Sequence, residues 1–227
     1  MDDQRVILNI ETSTDACSAA VTQGKLVLFS HLVSAGSEHA RELPLMIDDL
    51  LKQLAAAGKK VDAVAVSEGP GSYTGLRIGA SVAKGLAYGL NVPLLAVPTL
   101  QIMAAQVAQT VHDGLLCPMI DARRMEVYNA FYTPDLQEVS PAAATVVDEN
   151  SFTEQLAARK VYFFGNGADK CKAVLQSPNA VFIDGIVPDA AWMGHTQYTQ
   201  VDTAYWAPFY LKEYEAKKSM NTMNIIK

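Results

Sequence analysis

The chain has 227 residues and a mass of 24.5 kDa; half of it is hydrophobic, 19% is charged and the mean hydropathy is +0.10. That length allows one large domain or two small ones, and the composition excludes a disordered, collagen-like or coiled-coil protein. Eighteen Lys plus Arg against twenty-four Asp plus Glu leave a formal charge of −6, the wrong sign for a domain that grips nucleic acid unaided, because phosphate neutralisation supplies most of that affinity.

Apolar runs at residues 6–10, 16–22 and 26–33, separated by short turns, predict a three-strand meander. From 38 to 57 the period changes. Leu43, Met46, Ile47, Leu50, Leu51 and Leu54 have the spacing of one buried helix face, and Gly58 ends the helix. A strand at 61–66 feeds the turn Gly69-Pro70-Gly71-Ser72; a helix over 73–90, a strand over 94–97 and a helix over 100–111 follow. The order βββαβαβα predicts an α/β protein with a mixed sheet and helices on its faces, the ribonuclease-H-like arrangement. After residue 112 the pattern partly restarts, with strands at 115–120 and 125–132, a short helix near 152–158, a strand at 161–164 and a helix around 168–175. The expected organisation is an N-terminal lobe (1–111), a smaller lobe (112–210) and a mildly basic tail (211–227).

Cys17, Cys117 and Cys171 are lone cysteines without CxxC spacing and suit a reducing compartment. Residues 1–8 lack the pattern of a signal peptide, and the apolar stretch 85–100 is broken by Asn91, Pro93 and Pro98. A cytoplasmic place and no membrane contact are expected.

The block Gly69-Pro70-Gly71-Ser72-Tyr73-Thr74-Gly75-Leu76-Arg77 joins a strand to a helix. Backbone N–H groups at such a helix start attract anions. Gly69, Gly71 and Ser72, with Glu11 and Thr12 of the first turn, are therefore candidates for phosphate or nucleotide contact. The known fingerprints do not fit: no lysine follows as a P-loop requires, and Thr74 stands where a dinucleotide loop has its third glycine. The other reading is packing, with glycines admitting positive φ and close approach. Glu11 would serve Mg²⁺ or phosphate only with a second acid facing it, for which Glu38, Glu68 and Asp121 are candidates on topology. His39 and Glu42 form a lone H-x-x-E without a second histidine, and no GxSxG occurs, so no metal ligand and no catalytic residue is expected.

The helix after this loop has two unlike faces. Gly75, Gly79, Val82, Ala83, Leu86 and Leu90 share the side expected to meet the sheet. Opposite them lie Tyr73, Arg77, Ser81, Lys84 and Tyr88, a face without a carboxylate and rich in residue types favoured at protein interfaces. On the preceding helix Leu45 stands on the polar side, among Glu38, Arg41, Asp49 and Lys52. The expected partner interface is Arg41, Leu45, Tyr73, Arg77, Ser81, Lys84 and Tyr88.

Three stretches of the first lobe, 7–20, 37–40 and 68–79, resemble the bacterial TsaB (YeaZ) family, as do Ile120-Asp121-Ala122-Arg123-Arg124-Met125-Glu126-Val127-Tyr128 and Pro208-Phe209-Tyr210-Leu211-Lys212. The resemblance implies an actin/Hsp70-like ATPase (ASKHA) fold of two ribonuclease-H-like lobes, the second reduced. It implies a non-catalytic subunit of the complex that adds a threonylcarbamoyl group to N6 of the adenosine beside the anticodon, in tRNAs reading codons that begin with A. It implies as partners a TsaD-like transferase, which carries the metal and the chemistry, and a TsaE-like ATPase. It also implies a homodimer of the chain when alone, through the helices at 38–57 and 73–90, and tRNA through the complex alone. No cofactor is required, with ADP or ATP allowed at the partner interface. The residues leave a second class open, an ATP-hydrolysing or phosphotransfer enzyme of the sugar-kinase-like superfamily built on Glu11, Thr12 and the 69–75 loop. Two departures bear on this. Glu11 stands where relatives usually have Asp, displacing its carboxylate by about 1.5 Å, one C–C bond, and the paired histidines of TsaD are missing, His39 being alone in its helix.

Overall fold

A computed structural model of the chain describes residues 4–34 and 38–212. Its first half follows the expected order: β1 (Val6–Glu11), β2 (Cys17–Gln23), β3 (Leu26–Val33), α1 (His39–Ala56), β4 (Ala63–Gly69), α2 (Tyr73–Leu90), β5 (Leu94–Pro98) and α3 (Thr99–Val107). The second half holds β6 (Leu115–Asp121), β7 (Glu126–Tyr132), β8 (Glu138–Val146), α4 (Thr153–Ala158), β9 (Val161–Phe164), β10 (Ala180–Ile183) and β11 (Thr199–Val201).

Two mixed sheets result. In the first the order is β11-β5-β4-β1-β2-β3, and in the second β10-β9-β6-β7-β8. Each is built the same way: a central strand (β1 or β6) pairs antiparallel with the strand after it and parallel with a later one. Strands β1, β4 and β5 carry near-continuous apolar runs because both faces of the sheet are covered. One face receives α1 and α2, through Leu43, Leu50, Leu54, Ala83 and Ala87 against Leu8, Ile10, Val64 and Val66. The other receives α3 and a 3-10 turn (Ala190–His195), through Ile102 and Met193 against Ile7, Ala65 and Leu95. The α3 helix also reaches the second sheet, where Leu100, Met103 and Val107 pack with Leu116, Ile120 and Phe164.

Several expectations are corrected in the second half. The helix around 168–175 is a single 3-10 turn (Asp169–Cys171); its buried anchors Ala168, Cys171 and Leu175 span too few residues, before Pro178, to propagate a helix. Strand β8 was not foreseen, since Pro141 interrupts its pattern. As an edge strand it tolerates a residue without an N–H donor. The α3 helix stops at Val107, short of 111. Residues 190–201, grouped by sequence with the second lobe, return to the first: β11 pairs with β5, and Ala190 N–H donates to Ser18 Oγ at 2.9 Å. The tail beyond 212 lies outside the described residues.

Candidate partner interface

Ser72 caps α2, its hydroxyl accepting from Gly75 N–H, and Asn91 ends the helix in the left-handed region with φ 53°. Between them stand eighteen residues without one Asp or Glu. Burial divides the helix close to the expected line: Gly75, Leu76, Gly79, Ala80, Ala83 and Ala87 are buried and Val82 and Leu86 half-buried, but Leu90, expected on the sheet side, is exposed at the helix end; Arg77, Ser81 and Tyr88 are exposed, Tyr88 at 84%. On α1, Arg41 and Leu45 are exposed, Leu45 at 63%. Arg41 keeps two loose ion pairs, at 3.9 Å to Glu38 and to Glu42. A groove of about 460 Å³ runs between the helices, lined by Ala40, Pro44, Tyr73, Arg77, Ile78 and Val82.

Two members of the expected face, Tyr73 and Lys84, are engaged by a distant segment of their own chain. Residues 202–212 form a strap that runs back along α2. Lys84 Nζ donates to the carbonyls of Trp206 at 2.6 Å and Ala204 at 3.2 Å, and the Tyr210 ring stacks on Tyr73 at 5.0 Å. Arg77 donates to Tyr73 Oη at 3.1 Å and lies over that ring, 5.4 Å from its centre. The strap is anchored at Phe209, whose N–H donates to Glu68 O at 2.7 Å, and by Trp206 packed on the first core. It adds exposed aromatics beside the helix, Tyr205 at 89% among them. Periodicity could not reveal it, because a strap without regular structure has none; the aromatic content of 205–210 was the available signal.

The candidate phosphate loop is filled from within. The Ser72 N–H donates to Ser13 O at 2.6 Å, and Thr12 Oγ1 donates to Gly75 O at 2.8 Å. A Cβ at Gly71 would stand 2.3 Å from Ser13 O, at Gly75 2.0 Å from Thr12 O, and at Gly69 2.4 Å from Phe209 O. The glycines are therefore required by the chain's own backbone, and the Ser72 N–H, one of the donors a phosphate would use, is spent on a carbonyl. Glu11, Thr12 and Ser13 are fully buried. Burial pushes the Glu11 carboxyl above its ordinary range; the Ser13 and Ser67 groups offset part of this, and Asp189 adds to it.

Glu38, Glu68 and Asp121 do not converge on Glu11. Glu38 is exposed before α1, burial raises the Glu68 carboxyl, and Asp121 pairs with Lys170 and accepts from Arg123 N–H at 2.8 Å. The acid that acts on Glu11 is Asp189, which the sequence offered no means to place. His39 Nε2 donates to Ala16 O at 3.1 Å. Among the described residues no three His, Cys, Asp or Glu gather as a metal-binding group, and no helix is long and apolar enough to cross a membrane.

A family model described as TsaD: tRNA N6-adenosine threonylcarbamoyltransferase matches residues 33–218. Relatives called tRNA threonylcarbamoyladenosine biosynthesis protein TsaB are similar. The Haemophilus influenzae protein is 39% identical over 124 residues, 54% of this chain and 51% of the relative; the Escherichia coli protein is 37% identical over 129 residues, 57% and 55%. A solved structure described as YeaZ from Pseudomonas aeruginosa superposes with a TM-score of 0.76 at 28% identity, covering 91% of this chain and all of that one. The chain belongs to this family, in its TsaB/YeaZ group. It spans about half the length of the curated relatives it matches. Its α/β architecture is the two-lobed actin-like (ASKHA-type) fold.

Proposed function

We propose that the chain is a binding subunit in tRNA threonylcarbamoyladenosine biosynthesis, pairing with a TsaD-like transferase through the exposed side of α1 and α2 and leaving the chemistry to it. One observation carries the reading: α2 shows Arg77, Ser81 and Tyr88 to solvent without a carboxylate on the helix, while the loop beneath it is occupied by the chain's own carbonyls. Interfaces favour tyrosine and arginine at their centres and deplete carboxylates there. A face of this charge suits an acidic partner surface. The names of the relatives support the process. A TsaE-like ATPase, and a second copy of the chain in the partner's absence, complete the set of partners. No cofactor of the chain's own is needed, and nucleotide, ADP or ATP, would lie at the shared interface.

Reconstituted tRNA modification tests this. The transferase with the chain should modify tRNA, and without it should lose most of its rate, while the chain alone with ATP should release no phosphate. Phosphate release abolished by Glu11→Gln would instead establish the sugar-kinase-like reading.

A further inference from the structure

Lys212 at the end of the strap reaches the second lobe, where its Nζ meets Glu126 Oε1 and Oε2 at 2.5 and 2.6 Å. That contact lies at the base of the β6–β7 hairpin, whose tip is Asp121-Ala122-Arg123-Arg124-Met125. Both arginines are exposed and both have left-handed backbones, φ 73° at Arg123 and 49° at Arg124. Non-glycine residues avoid this region, and glycine or asparagine would adopt it with less strain. The conformation is held by three bonds: Arg123 N–H to Asp121 Oδ1 at 2.8 Å, Ala122 N–H to Glu126 O at 3.0 Å, and Glu126 N–H to Arg123 O at 3.0 Å.

The charges at the tip do not cancel. Two carboxylates stand at its base, and each has a lysine: Lys170 on Asp121, Lys212 on Glu126. Lys170 also donates to the Glu126 carbonyl at 2.6 Å. The guanidinium groups of Arg123 and Arg124 make no hydrogen bond or ion pair among the described residues. Arg123 also acts electrostatically on Asp121, but four cations against two carboxylates leave this corner with an excess of positive charge on a protein whose net charge is −6. Neither the α1–α2 groove nor the cavity beside Leu156 and Leu175 is lined by the tip. A projecting cationic tip suits an extended polyanion better than a small nucleotide, which needs a concave site.

We infer that the Arg123–Arg124 tip is a phosphate-backbone contact for RNA, made when the chain stands in its complex. This rests on the proposed role in tRNA modification. The overall negative charge then limits binding by the chain alone, while the tip adds phosphate contacts to an assembly already oriented on the tRNA.

The test uses the full chain assembled with the transferase and a fluorescein-labelled tRNA, with anisotropy measured at several salt concentrations. The double variant Arg123→Gly/Arg124→Gly should bind roughly three- to tenfold more weakly near 0.1 M salt, and its log–log salt slope should shrink by about 1.4, two contacts at the single-strand value. Its thermal midpoint should not fall, since glycine suits both φ values. The double lysine variant should keep most of the slope. Unchanged affinity and slope in the glycine variant, with normal assembly, would overturn this inference and leave the proposed function standing. Loss of assembly in place of RNA affinity would also overturn it, by assigning the tip to a protein contact. Failure of the wild-type chain to assemble, or of the wild-type complex to bind tRNA, would remove both readings together.

Discussion

The β1–β2 turn and the β6–β7 tip each join the central strand of a sheet to its antiparallel neighbour, in sheets of matching strand order. At the first, Glu11, Thr12 and Ser13 are fully buried, and the Ser13 and Thr12 carbonyls fill the space above Gly71 and Gly75. At the second, Asp121, Arg123 and Arg124 are exposed. The difference lies in what packs against each tip. The first is closed by the glycine-rich start of α2, with Gly69 covered by the strap; the second has the Lys170 and Lys212 side chains at its base and solvent beyond. An equivalent place in a repeated topology therefore does not predict equivalent chemistry; the close neighbours decide it.

The sealed turn should be the most sensitive place in the chain. Gly75→Ala would press a methyl group 2.0 Å from the Thr12 carbonyl, and a loss of about 3 kcal/mol or more in denaturant unfolding is expected. A Cβ at Gly85, on the same helix, would meet nothing within 4 Å among the described residues. Gly85→Ala should stabilise by about 0.5–1 kcal/mol, so equal effects at the two glycines would break the comparison.

The strap that completes the seal comes next. Lys84→Met removes the charged donor held by two carbonyls and should cost about 1–2 kcal/mol, with faster proteolysis between 202 and 212. The Glu11 carboxyl sharpens the contrast through pH. Its folded value is raised by burial and by Asp189, so the folded chain holds this proton longer than the unfolded chain does. Stability should fall as pH rises from about 4.5 through the raised value. Glu11→Gln should reduce that slope, raising the denaturation midpoint at pH 7–8 and changing little at pH 4. On the open side, Tyr88→Asp should move the stability of the isolated chain by less than about 0.5 kcal/mol.

Much of this was legible in the sequence, for identifiable reasons. The spacing of Leu43, Leu50 and Leu54, and the small residues opposite Arg77 and Tyr88, reported helix faces that the structure reproduces, because local periodicity reflects which side is buried. The glycine block marked a tight turn, but its spacing could not say whether a phosphate or a carbonyl lies against it. The answer depends on Thr12 and Ser13, some sixty positions earlier. Asp189 beside Glu11 and the strap on Lys84 are likewise contacts between distant parts of the chain, formed by segments without a repeating pattern. The division of the expected face, with Tyr73 and Lys84 held internally and Arg77, Ser81 and Tyr88 open, came from the same source.

The central claim is that the open side of α2 meets a partner. Isothermal titration of the transferase with the wild-type chain and with Arg77→Glu/Tyr88→Asp, both checked for equal thermal midpoints, addresses it directly. Saturable heat from the wild type and at least a hundredfold weaker binding by the variant, with its fold intact, is the result this account predicts. A variant that binds as tightly as the wild type would contradict it.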